Sequence, residues 1–164
     1  MGAFQTQLAV ATHGVNGGRS FQLLTRHDSQ KLEAFFLAMS FDQRRACFGG
    51  GMSDEAIVTF CRRLDWQRVT VVARMGPYCP EAVAMVYPLD DEADAAELSI
   101  ACPLDCDRTA IIRTLIVLAI SAASPFYRML IVQRELTPSD VVRALLDIAA
   151  GNGASGDIII IKLR

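Results

Sequence analysis

Apolar and polar positions alternate along this chain in a way that divides it into strands and helices with short breaks. Residues 21–26 read as a first strand, and Asp28 or Ser29 can cap a helix over residues 29–39. Ser40-Phe41-Asp42-Gln43 is a capping-box pattern for a short second helix, which Gly49-Gly50-Gly51 ends. Ser53-Asp54 starts a further helix through Leu64, with Ile57, Phe60, Cys61 and Leu64 at helical spacing on one face. Residues 69–75 and 82–87, separated by the turn-forming Gly76-Pro77-Tyr78-Cys79-Pro80, are expected to pair as a hairpin.

The acidic run Asp90-Asp91-Glu92-Ala93-Asp94 reads as a solvated turn, with cation binding as its alternative. Glu97-Leu98-Ser99-Ile100-Ala101-Cys102 then forms an apolar strand, and residues 103–107 turn into a long apolar run over 110–123 that only Arg113, Thr114 and Ser121 interrupt. That run is a buried helix. A strand over 126–134 follows, then a helix over 139–150 opened by Thr137-Pro138-Ser139-Asp140. The last strand covers 157–163, and its Ile158-Ile159-Ile160-Ile161 run implies burial on both faces. The glycine-rich stretch at 14–18 marks residues 1–20 as a flexible extension, which leaves 21–164 as a single domain.

Composition narrows the class. A chain of 164 residues can bury a core of its own, and a hydrophobic fraction of 52% with a charged fraction of 21% favours buried helices or a subunit contact such as that of a homodimer. The net charge of −2 and scattered arginines give no long-range attraction for nucleic acid or an anionic membrane. The longest apolar run falls short of the ~20 residues needed to cross a bilayer. No cationic region precedes the apolar Leu8-Ala9-Val10-Ala11 patch, which argues against a secretory signal. Cys47, Cys61, Cys79, Cys102 and Cys106 form no CxxC pair and fit a reducing, cytoplasmic setting as small apolar fillers. A zinc site drawn from Cys102, Cys106, His13 and His27 has no spacing to fix it, so no metal is expected. Gly151-Asn152-Gly153-Ala154-Ser155-Gly156 matches GxGxxG, but it closes a helix and precedes a strand, the reverse of a dinucleotide site.

The turn from residues 97–102 into the long helix carries the candidate chemistry. The first N–H groups of such a helix lack partners and its dipole favours negative charge, so this architecture commonly cradles a phosphate. Here the turn has no glycine. Asp105 and Asp107 stand where a phosphate wants N–H groups, and Ala110 and Ile112 add side chains where a close backbone approach needs bare Cα atoms.

In outline the order is strand, two helices, three strands, long helix, strand, helix, strand. This order resembles the GNAT superfamily of acetyl-CoA-dependent N-acetyltransferases, and specifically the GNAT domains of bacterial protein-lysine acetylation. Those domains carry Leu-Ser-Pro-Glu-Ser-Arg-Arg-x-x-Phe and Leu-Ser-Asp-Glu; this chain has Met39-Ser40-Phe41-Asp42-Gln43-Arg44-Arg45-Ala46-Cys47-Phe48 and Met52-Ser53-Asp54-Glu55. Their Ala-Glu-Phe on the fourth strand is matched by Ala96-Glu97-Leu98. The resemblance implies an α/β fold (α+β in some schemes): a mixed central sheet of about six to seven strands with helices on both faces.

It also implies a cofactor site. The family's Gln/Arg-x-x-Gly-x-Gly/Ala loop, which binds the diphosphate of acetyl-CoA, falls on Asp107-Arg108-Thr109-Ala110-Ile111-Ile112, while Ile100 and Cys102 fall where the fourth strand lies along the pantetheine arm. The Gln/Arg position is Asp107, and the two glycines are Ala110 and Ile112. Arg108 and Arg113 are the cations that can compensate, although Arg108 can equally pair with Asp105 or Asp107. Glu97 corresponds to the family's general base for an amine acceptor, a role that suits a partly buried carboxylate; its alternative is an ion pair with Arg74 or Arg128. The family's tyrosine acid, early in the helix after the fifth strand, has no counterpart in residues 139–150. Two functions follow from the resemblance. One is a domain with a degraded acetyl-CoA site, binding or regulatory and without cofactor; the other is an N-acetyltransferase acting with acetyl-CoA on a protein or small-molecule amine.

Overall fold

The computed structural model describes residues 20–90, 92–103, 107–134, 137–148, 154–155 and 157–163. The elements are β1 (Phe21–Leu24), α1 (Ser29–Leu37) after a 3-10 turn, α2 (Phe41–Phe48), α3 (Asp54–Arg63), β2 (Thr70–Met75), β3 (Pro80–Leu89), β4 (Glu92–Ala101), α4 (Arg108–Ala123), β5 (Met129–Gln133), α5 (Ser139–Ile148), β6 (Ala154–Ser155) and β7 (Ile158–Lys162). The three helices expected after the first strand are thus all present, one more than the outline order counts.

Local chemistry starts the early helices where the sequence predicts. Ser40 Oγ accepts from the Gln43 amide at 3.3 Å while Gln43 Oε1 accepts from the Ser40 amide at 2.8 Å, a complete capping box. Gly49 ends α2 in the left-handed region at φ 68°, which a glycine adopts without steric cost. Ser53 Oγ caps α3 through the Ala56 amide at 3.2 Å. Arg44 then ties the three helices together. Its guanidinium donates to the carbonyls of Leu37 (2.7 Å), Met39 (3.1 Å) and Met52 (3.3 Å) and to Asp54 Oδ1 (2.6 Å).

The strands form one mixed sheet in the order β1-β2-β3-β4-β5-β7-β6, antiparallel throughout except for the parallel β4–β5 pair. Alternate residues of β2 to β4 feed two cores, whereas β5 and β7 feed only one of them. Val71, Ala73, Val83 and Met85 meet Leu32, Phe36, Ile57 and Cys61 of α1 and α3 on one face; Val72, Ala84, Leu98, Leu130 and Ile159 meet α4 and α5 on the other. The α/β sheet with helices on both faces is therefore as expected.

Two expectations need correction. The acidic segment is not simply a turn: β4 begins at Glu92, because backbone pairing with β3 from Leu89↔Glu92 onward continues past the charges. Asp94 is on that strand, 3.6 Å from Arg128. The isoleucine run of β7 is buried on one face only. Ile159 and Ile161 are buried while Ile158 is 42% exposed, since the α1–α3 core reaches β1 to β4 and contains no residue of β5 or β7. Ala154 and Ser155 pair with β7, and the rest of the GxGxxG match, like residues 1–19 with His13, lies outside the described residues. Among the described residues no helix is long and apolar enough to cross a membrane, and no group of three or more His, Cys, Asp or Glu is placed to hold a metal.

Candidate functional site

The parallel pairing of β4 with β5 is short. Its register runs Ala95↔Met129, Ala96↔Leu130 and Glu97↔Ile131, after which β4 continues to Ala101 and β5 to Gln133 outside that register. The sheet forks there. Glu97 stands at the last pair, half-buried, and Gln133 reaches across the fork so that its Nε2 donates to Glu97 Oε2 at 3.4 Å. Arg74 lies 3.5 Å from Glu81 and Arg128 lies 3.6 Å from Asp94, so the two cations that the sequence offers to Glu97 are engaged elsewhere.

Tyr87 sits directly opposite Glu97 on β3. Its hydroxyl donates to Met85 Sδ at 3.0 Å, and burial pushes the phenol pKa well above its ordinary value, with the Glu97 charge and the Cys61 and Cys47 thiols adding to the effect. The phenol therefore keeps its proton. Sequence spacing does not bring Tyr87 or Gln133 to Glu97; only strand register does. Tyr127 lies apart, donating from its hydroxyl to the Arg68 carbonyl at 3.0 Å.

The anion side lies at the start of α4. Asp107 holds the cap position in the left-handed region (φ 52°, ψ 15°), its side chain is exposed and it makes no capping bond, in contrast to Ser40 and Ser53. Aspartate tolerates that backbone better than most residues. Thr109 and Ala110 are exposed in the first turn, whereas Ile112 is fully buried in the core with Leu115, Val141 and Leu145. Ile100 and Cys102 belong to that same core. Leu104, Asp105 and Cys106 of the preceding turn lie outside the described residues.

Both compensating cations are committed to α5. Arg108 pairs with Asp140, and Arg113 pairs with Asp147. Burial alone would raise the Asp140 pKa, but the hydrogen bond and charge of Arg108, with the Val141 amide, outweigh it and hold the carboxyl below its usual range. Cys47, at the end of α2, is within electrostatic reach of this corner. Burial pushes its thiol up to about 11, Arg108 opposes that rise and Cys102 adds to it. A thiol with that value is protonated at neutral pH and is a poor nucleophile.

No family model matches the sequence, and no curated protein matches it. Solved structures do match. The chain is similar to the GNAT domain of S. lividans PAT, at 14% identity and TM-score 0.59 over 86% of this chain and 87% of that one. It is similar to an acetyltransferase of the GNAT family from Streptococcus pneumoniae, at 13% identity and TM-score 0.60, covering 87% and 96% of the two chains. It is also similar to the aminoglycoside acetyltransferase AAC(6')-Ib in complex with coenzyme A, at 16% identity and TM-score 0.58, covering 88% and 94%. With its forked β4–β5 pair and its long helix after β4, this protein has the GNAT fold.

Proposed function

We propose that the chain is a GNAT-fold domain with a degraded acetyl-CoA site, one that works by binding or regulation rather than by turnover. The observation that carries this reading is that Arg108 and Arg113, the two arginines of the first turns of α4, are paired with Asp140 and Asp147. The exposed Asp107 supports it. Two unit charges ~4 Å apart at a surface-like effective dielectric repel by about 4 kcal/mol, enough to cancel the attraction of a helix N-terminus. The absence of a tyrosine from α5 also removes the usual proton donor for a leaving thiolate.

Acetyl-CoA is the ligand to test, because it is the cofactor of the fold's relatives. A ligand at a hundredfold its dissociation constant stabilises a protein by about 2.7 kcal/mol, which moves the melting temperature of a domain this size by roughly 5–10 °C. Millimolar acetyl-CoA should leave the melting temperature of this protein unmoved, and a shift of that order would overturn the reading.

One observation favours a second reading, transfer of acetyl from acetyl-CoA to a protein or small-molecule amine. The fork opens immediately after Glu97, where a half-buried carboxylate with a neutral amide partner is suited to take a proton from an ammonium. Under this reading Glu97→Gln abolishes turnover and preserves any acetyl-CoA shift, and unchanged turnover rejects Glu97 as base.

A further inference from the structure

Strand register lays one row of side chains across the sheet. Tyr87 is paired with Glu97, Glu97 with Ile131 and Ile131 with Ile160, and residues directly opposite on neighbouring strands share a face. Tyr87 packs against the α1–α3 core, so this is the face that those helices cover over the first strands. Beyond Glu97 the cover stops. Met129 and Ile131 of β5 and Ile158 and Ile160 of β7 alternate onto this face, belong to neither core and stay partly or largely exposed, which leaves an open apolar floor beside the carboxylate. The charges on the face are ordered too. Among the described residues the Glu97 side chain has the neutral Gln133 amide as its hydrogen-bond partner and makes no ion pair, while Lys162 stands at the opposite corner, paired with Met129. A cation is therefore drawn to Glu97 and repelled from the far end of the floor.

We propose that this floor binds a primary alkylamine, with the ammonium on Glu97 and the hydrocarbon chain laid over Ile131 and Ile160. The proposal rests on the reading of the chain as a binding domain and names what it binds. Neighbouring strands lie about 4.8 Å apart, so Ile131 is one spacing and Ile160 two spacings, about 10 Å, from the Glu97 column. That span is the length of a medium-chain amine such as n-hexylamine or n-octylamine. A lysine side chain fits less well, because its own backbone would lie over the isoleucines with its amides unpartnered.

The test is an NMR titration of the full native chain with ethylamine, n-hexylamine, n-hexanol and Nα-acetyl-lysine amide. A methylene that leaves water completely is worth about fourfold in affinity and one that is half covered about twofold, so n-hexylamine should bind about tenfold more tightly than ethylamine. Glu97→Gln should weaken n-hexylamine by about threefold and leave n-hexanol unmoved, and Ile131→Thr with Ile160→Thr should flatten the dependence on chain length. Equal affinity for ethylamine and n-hexylamine, an n-hexylamine affinity unchanged by Glu97→Gln, or tighter binding of the lysine amide than of n-hexylamine overturns the proposal and leaves the binding reading in place. Acetylation of n-hexylamine by acetyl-CoA, with the same order of chain lengths, keeps the proposal and overturns the reading of a domain without turnover. If the isoleucine double variant fails to fold, Ile160→Thr alone serves, because its side chain is partly exposed; a weaker dependence on chain length supports the proposal, and an unchanged one overturns it.

Discussion

Helices α2 and α4 begin in opposite ways. At α2 a serine and a glutamine close a reciprocal cap, the helix ends on a left-handed glycine, and the partly buried Arg44 gathers three carbonyls of the surrounding chain. At α4 the cap position is a left-handed aspartate without a capping bond, and the arginines of the first two turns lean outward onto aspartates of α5. Local rules fully determine the first region. The second has its arginines engaged by aspartates of a neighbouring helix, which teaches that two helix starts in one fold can be fastened by different means, one local and one distant in sequence.

The sharpest way to break this contrast is at the two positions where the family places glycine. Ile112 is fully buried in the α4–α5 core, whereas Ala110 is exposed, although the two are only two residues apart. Truncating a buried isoleucine costs about 2–5 kcal/mol and placing glycine in a helix adds about 1, so Ile112→Gly should destabilise the protein by roughly 3–6 kcal/mol in denaturant unfolding. Ala110→Gly should cost about 1 kcal/mol or less. Equal, small effects at both positions would show that the start of α4 is not built into the core.

The same contrast explains what the sequence reveals. Ser40 with Gln43, and Ser53 with Ala56, act within a single turn, so their helices are legible from spacing alone. The fold class is legible too, because strand and helix periods survive over most of the chain. Partnerships between distant residues are not. Nothing in one dimension joins Asp140 to Arg108 or Tyr87 to Glu97; α4–α5 packing makes the first pair and β3–β4 register makes the second. The isoleucine run of β7 misleads for a related reason: its composition suits burial on both faces, while coverage by helices, a property of the whole sheet, reaches only one.

A comparison of two arginines sharpens the difference further, at a smaller scale. The Arg44 side chain is 11% exposed and its loss leaves the Leu37, Met39 and Met52 carbonyls without their donor, so Arg44→Ala should cost about 2–4 kcal/mol. Arg108 is 26% exposed and its ion pair with Asp140 is partly exposed too, so Arg108→Ala should cost less than Arg44→Ala, about 1 kcal/mol. Reversed magnitudes in chemical denaturation would mean that the Arg108–Asp140 pair, and not the Arg44 contacts, fastens the structure.

The smallest effect is a dependence on acid. Arg108 holds the Asp140 carboxyl below its ordinary 3.8 in the native state, while the unfolded chain returns it to that value. A group with a depressed native pKa contributes stability that is complete above the unfolded value and is lost as pH falls through the native one. The native protein should therefore be slightly more stable than Asp140→Asn at neutral pH, and the gap between their melting temperatures should close as the pH drops below 3.8, where Asp140 takes up its proton and loses its charge. A gap that persists unchanged in strong acid would show that the difference between the two proteins does not come from the charge of Asp140 on Arg108, because the asparagine Oδ1 can still accept from the Val141 amide.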